Sequence, residues 1–234
     1  MNNCPGQDKR KVTPEPIICS SCGYEAEIFS DEIKLSCPKC RQVLCREVLP
    51  TCVDWCKSAK ECIGEEAYGN YKKNKSLLLK ERLLVELKEY FGIDIKRINH
   101  ARRVLDYAEE ILRKEGGSWH IVVPAAILHD VGIKIAEQKY GSNSGHWQEK
   151  EGPAVAKRIL LKLGFKKDEI EEICQIIRYH HSPGKINSLD FKIILDADWL
   201  VNLSEIKGRD KKEEIIDDLF TTKTAKEIAK KVYL

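Results

Sequence analysis

The chain has 234 residues, 42% hydrophobic and 33% charged, with 40 basic against 37 acidic side chains and a formal net charge of +3. Such a composition excludes a disordered polypeptide, and so even a balance argues against a dedicated nucleic-acid binder. The length allows one ordinary domain and a small appendage, and no apolar stretch approaches the roughly 18–20 residues that cross a bilayer.

The N-terminus, Met-Asn-Asn-Cys-Pro-Gly, has no basic-then-apolar leader, so the expected location is the cytoplasm. Nine of the ten cysteines lie in the first 62 residues. Where thiols are kept reduced, metal ligation suits them better than disulfides. Residues 1–66 carry prolines at 5, 14, 16, 38 and 50 and no helical period. They are expected to form a cysteine-rich module too small to be held by a core of its own.

Within it, Cys19-Ser-Ser-Cys22-Gly and Cys37-Pro-Lys-Cys40 are CxxC knuckles separated by fourteen residues. Each delivers two thiolates from one tight turn, and the pair completes a tetrahedral four-sulfur shell suited to structural zinc. The intervening EAEIFSDEIKLS predicts a short β-hairpin that brings the knuckles together. The pattern resembles a zinc ribbon, and also the rubredoxin iron site at a much shorter spacing. Cys45, Cys52, Cys56 and Cys62 match no named spacing. With Cys4 to spare, they are candidates for a second zinc or an iron–sulfur cluster, or reduced thiols packed around Trp55. Lys9, Arg10, Lys11, Arg41 and Arg46 add positive charge, but few aromatic residues are suited to base stacking. The module therefore reads as a docking or sensing element for a protein partner.

Beyond Gly64 nearly everything is helical in pattern. Residues 67–93 form a connecting segment in which Ser76 to Phe91 shows apolar residues at helical spacing and stops at Gly92. Residues 94–234 make the main domain. Asp94 caps a helix whose apolar row is Ile98, Ala101, Leu105, Ala108 and Leu112, ended by Gly116-Gly117. Pro124 suits a first helical turn, and Gly132 interrupts soon afterwards. Further helices are predicted from Pro153 to Leu163, from Asp168 to His181 and from Phe191 to Leu203, with two shorter ones to finish. About seven helices joined by short loops predict an all-α bundle with the small β-hairpin module at its N-terminal side.

The chemistry lies on inward rows of these helices. His129-Asp130 closes the apolar run Ile121–Leu128. An imidazole and a carboxylate at the end of a buried helix are costly without a partner charge or a metal ion. His100 shares a row with Val104, Ala108 and Ile111, and Asp198 lies among Phe191, Ile194 and Val201. His180 and His181 extend the stripe of Ile170, Ile173, Cys174 and Ile177. Asp196 sits over Lys192 at i,i+4, which suggests a solvated flank and favours Asp198 as the ligand. A lone inward histidine is more often a hydrogen-bonded core residue than a ligand. His180 and His181 could equally be drawn to the negative end of their helix, His120 needs no special role, and Cys174 reads as inert core. Groups converging from four helices are harder to explain without a cation.

The order His100…His129-Asp130…Asp198, with the strings AAILHDVG, IIRYHHSPG and ILDADWL, resembles the HD superfamily of metal-dependent phosphohydrolases over residues 94 to 205. The resemblance implies a helical fold in which His100, His129, Asp130 and Asp198 hold one divalent ion. In members with a second ion, extra histidines join, and His180 matches the later of them. The earlier one is open between His146, Glu149 and Glu151, while His181 is either a ligand or a phosphate contact. Mixed imidazole and carboxylate donors suit Mn²⁺, Fe²⁺, Co²⁺, Ni²⁺ or Zn²⁺. The expected chemistry is hydrolysis of a phosphate ester, with a nucleotide as the expected substrate, by metal-activated water. Asp130 would orient or deprotonate that water beside His129, and Lys134 and Arg103 are candidates for phosphate neutralisation, Arg103 being as readily a solvated residue. Two other readings are a nucleotide-binding adaptor without turnover, whose cysteine-rich module docks a partner, and an iron protein performing oxidation.

Overall fold

The computed structural model describes residues 13–29, 32, 34–45, 52–54 and 56–234. Cys4, Lys9–Lys11, Arg46, Trp55 and the side chains of Cys45, Cys52 and Cys62 lie outside the described residues, and with them the expected second metal cluster. The chain divides into two compact units, Met1–Val85 and Glu86–Leu234.

The first unit begins with two antiparallel hairpins. β1 (Pro14–Ile18) pairs with β2 (Glu25–Phe29), and β3 (Lys34–Ser36) pairs with β4 (Val43–Cys45). This differs from the single hairpin expected between the knuckles. Each CxxC is instead the turn of its own hairpin: Gly23 N donates to Cys19 O, and Arg41 N donates to Cys37 O. The turns leave through left-handed residues, Gly23 (φ 69°) and its counterpart Arg41 (φ 62°). Around Cys19 and Cys37 the buried cluster adds Leu44, with Ile17, Cys22 and Leu35 partly buried against it. So little apolar mass cannot hold two hairpins together unaided. A short 3₁₀ turn at Cys52–Asp54, α1 (Ala59–Ile63) and the start of α2 (Glu65–Phe91) complete the unit. α2 begins eleven residues ahead of the expected Ser76 because Tyr71 packs with Val53 and Ala59 and donates to Asp54 at 3.0 Å. The polar sequence EEAYGNYKKNK hides that tertiary support.

The second unit is all helix. It comprises α3 (Ile95–Glu115), α4 (Trp119–Leu128), α5 (Gly132–Tyr140), α6 (Gly145–Lys162), α7 (Lys167–Tyr179), α8 (Leu189–Asn202), α9 (Arg209–Leu219) and α10 (Lys223–Tyr233). Asp94 accepts from Arg97 N at 3.2 Å, which caps α3 as expected. α4 starts ahead of Pro124, so the proline sits inside the helix, and everything from Ile121 to Leu128 is buried. α3 packs on α4 and α8, α4 also on α7 and α8, and α6 lies between α5 and α7. The stretch Trp119–Tyr140 meets the length and hydropathy of a membrane span, contrary to the expectation that no such run exists. Two thirds (67%) of its 18-residue apolar window is buried in the bundle, which is where its apolar surface is satisfied.

α5 and α6 cross at glycines. A Cβ on Gly132 would lie 2.3 Å from Gln148 O, and one on Gly152 would lie 2.8 Å from the Ile177 side chain. α10 is held by two carboxylates. Glu115 accepts from Thr224 N at 2.7 Å, and Asp196 accepts from Thr222 N at 2.7 Å and Thr221 N at 3.0 Å. Asp196 is therefore not on a solvated flank. It is wholly buried (0% exposed) and fills the unpaired donors at the start of the last helix.

Candidate metal centre

Two helices end on a histidine that meets the last, unpaired carbonyls of its own helix. His129 follows α4 and its Nδ1 donates to Ala126 O at 2.8 Å; His180 follows α7 and its Nδ1 donates to Ile177 O at 2.7 Å. A carbonyl only accepts, so both rings carry Nδ1–H and turn Nε2 toward the centre. His129 is 1% exposed and His180 4%. The negative ends of α4 and α7 thus both face the same spot.

Around it the donors converge. His100 Nε2 lies 3.1 Å from Asp198 Oδ1, 3.3 Å from His129 Nε2 and 3.7 Å from Asp130 Oδ2. His129 Nε2 is 3.5 Å from Asp130 Oδ2 and 3.8 Å from Asp198 Oδ1. On the other side, Asp130 Oδ1 is 3.4 Å from His180 Nε2, and Asp130, His180 and His181 form a second donor group within 4.8 Å. Asp130 therefore belongs to both groups, one oxygen facing each.

The charges are balanced only through one another. Burial alone pulls the His129 imidazolium down, but Asp130 and Asp198 outweigh it and hold it up at about 9. Burial pushes the Asp130 carboxyl up, yet His129 and His180 keep it well below its ordinary value. Asp198 is lowered likewise, burial being overcome by the His100 and His129 imidazoles beside it. Among the described residues two buried side-chain atoms have no hydrogen-bond partner, His180 Nε2 and Asp198 Oδ1. Buried lone pairs without donors are costly, and a cation is what they fit. Donor separations of 3.1–3.8 Å also match the edges of a coordination shell with bonds near ~2.1 Å.

The remaining candidates are placed elsewhere. His146 lies in the exposed first turn of α6 with its ring against Trp147, outside both donor groups. Glu149 accepts from His181 N and Ser182 Oγ, both at 3.0 Å, and Glu151 is engaged by Lys139 and Tyr140. Lys134 donates to Tyr90 O at the end of α2 and lies over the Tyr90 ring, so its charge serves that helix terminus rather than a phosphate. Arg103 is exposed and reaches Ser204 Oγ at 3.4 Å. Cys174 packs in α7 with its thiol toward Pro153 O. His181 is open to solvent at its edge, while its ring lies on Gly145; that packing and His180 hold it down at about 4. Gln148, buried in α6, reaches His181 Nε2 and was not marked by any motif.

In the first unit Cys19, Cys22, Cys37 and Cys40 place their sulfurs within 4.8 Å of one another, with Cys19 to Cys40 at 3.5 Å and Cys22 to Cys37 at 3.7 Å. Burial notwithstanding, the Lys39 and Cys40 backbone groups lower the Cys37 thiol to about 7. The Tyr24 backbone favours the Cys22 thiolate, but burial and three neighbouring thiols push it up to about 12. Four such sulfurs cannot all ionise without a cation between them. The cluster fits a zinc-ribbon-like segment.

Residues 97–220 match the family described as HD domain. Among solved structures, the chain is similar to a predicted HD superfamily hydrolase from an uncultured Thermotogales bacterium. Identity is 27%, the TM-score is 0.51, and the match covers 65% of this chain and 84% of that one. No curated protein matches.

Proposed function

The chain belongs to the HD domain family, and from that premise we propose that it is a metal-dependent phosphohydrolase acting on a phosphate ester, with nucleotides as the substrate class. The observation that carries this is the pair of orphaned buried atoms, Asp198 Oδ1 and His180 Nε2, set among His100, His129 and Asp130. His100, His129, Asp130 and Asp198 would hold the first divalent ion; Asp130, His180 and His181 would contribute to a second. A bound Mn²⁺, Fe²⁺, Co²⁺, Ni²⁺ or Zn²⁺ supplies Lewis acidity and makes a water acidic enough to give hydroxide near neutral pH.

The protein's part follows from its geometry. Asp130, with one oxygen toward each donor group, orients the attacking water and can take its proton. His129 and His180, anchored through Nδ1, keep their Nε2 lone pairs aimed without reorganisation. Because Lys134 is committed to Tyr90 O, compensation of the phosphate charge falls to the bound cation rather than to that lysine. In the head, Cys19, Cys22, Cys37 and Cys40 would hold a structural zinc, and the stiffened hairpins would dock a protein partner.

The test is the full-length protein loaded with Mn²⁺ or Fe²⁺ and offered mono-, tri-, cyclic and dinucleotides. Phosphate or nucleoside release that disappears in His129→Ala and Asp130→Ala supports the assignment. Tight nucleotide binding by calorimetry, with the ligand unchanged after long incubation in every metal-loaded form, replaces it with a non-catalytic adaptor.

A further inference from the structure

The two anchored histidines share one device, and His181 departs from it. Its ring has no backbone carbonyl at Nδ1. Instead the first turn of α6 clasps it: the ring lies on Gly145, where an added Cβ would stand 2.7 Å from His181 Cγ. Its opposite neighbour is the His180 ring, at 3.9 Å between centroids. Glu149 accepts from the His181 backbone N at 3.0 Å. The side chain of Gln148, 6% exposed, completes the clasp with its Oε1 3.4 Å from His181 Nε2.

The amide of Gln148 is not free to turn over. Its Nε2 donates to Asn143 O at 2.6 Å, and a carbonyl oxygen takes only a donor. The amide oxygen must therefore face His181, and an amide oxygen only accepts. A proton consequently sits on His181 Nε2, in the ring plane and pointing at Gln148.

We propose that Gln148 is a positioning residue that fixes His181 as its Nε2–H tautomer, so that His181 can serve the donor group it shares with Asp130 and His180 through Nδ1 alone. This rests on the metal-centre reading above. His129 and His180 have their Nδ1 taken by main chain and keep Nε2, whereas His181 has its Nε2 taken by the Gln148 side chain and keeps Nδ1.

The full-length chain is examined by imidazole ¹⁵N–¹H correlation spectroscopy, the His181 signals being identified by their absence in His181→Asn. Mn²⁺ is the titrant, because thiolates in the head prefer softer ions. The wild type should show a protonated Nε2 and a bare Nδ1 at His181, and should bind two Mn²⁺. Gln148→Leu should lose the tautomer preference and weaken the second Mn²⁺ by about 10–100-fold, with the first unchanged as an internal check of folding. Gln148→Glu, which keeps the acceptor, should restore both. An Nδ1–H tautomer in the wild type overturns the proposal. So does Gln148→Leu with wild-type affinity for both ions, or a single Mn²⁺ site indifferent to His181→Asn; each leaves the first ion's site intact. No Mn²⁺ binding at all instead removes the metal-centre reading itself.

Discussion

Alanine for glycine inside a helix normally stabilises a protein by up to about 1 kcal/mol, and Gly132→Ala should do the opposite. Gly132 opens α5 with ordinary helical geometry, so no left-handed strain is involved. What stands in the way is backbone. The new Cβ would meet Gln148 O at 2.3 Å, Gly152 N at 2.8 Å and Gln148 C at 3.0 Å. None of these is a flexible side-chain tip, so α5 and α6 must separate by about 1 Å before the contacts become ordinary ones. Overpacking of this kind costs about 1–3 kcal/mol, and loosened contacts along the crossing add to it. The clash outweighs the propensity gain, for a net loss of about 1–2 kcal/mol in urea unfolding at an unchanged denaturant slope. Gly69→Ala is the comparison, since nothing lies within 4 Å of its added Cβ, and it should gain up to about 1 kcal/mol. A Gly132→Ala protein as stable as the wild type would refute the reasoning.

Asp196→Ala should lose about 1–3 kcal/mol, because the buried Thr222 N–H is left without an acceptor. Hydrogen exchange should show α10 amides opening first, and unchanged α10 protection would contradict this. Stability held by the His129 imidazolium in the ion-free protein is present in full below 6.5, since its folded value is raised, and is lost as pH rises through about 9. Calorimetry at pH 7 in buffers of different ionisation enthalpy should therefore register about one proton released per first Mn²⁺ bound, with affinity climbing toward pH 9; no proton release would negate it. Arg41→Gly relieves a left-handed residue whose counterpart is already Gly23, and should strengthen the head by about 0.5–1 kcal/mol, read as slower loss of zinc to a chelator. Faster loss would count against that argument.

The residues of the first donor group are readable in the sequence because each combines an unusual side chain with an inward helical row, a pattern that periodicity exposes directly. What escapes is whatever depends on tertiary neighbours. Asp196 has the i,i+4 lysine of a surface residue, and only the approach of Thr221 and Thr222 makes its burial sensible. A helix start at Pro153 leaves out the first two turns of α6, and with them the outward direction of His146 and the inward direction of Gln148. Lys134 keeps the spacing of a phosphate contact, yet the end of α2 captures it first. In the head, a CxxC pair is legible as a metal shell, but whether the chain between two knuckles is one hairpin or halves of two depends on pairing partners outside it.

The anchors of His129 and His180 carry a consequence for how this chain can drift. Ala126 and Ile177 offer their carbonyls whatever side chain they bear, so no point mutation there can withdraw the tether. Gln148 enjoys no such immunity: its tether is a side chain, erasable by one codon change. Along a lineage, the two rings aimed by main chain should outlast the one aimed by an amide, and descendants that abandon His181 would retain His129 and His180.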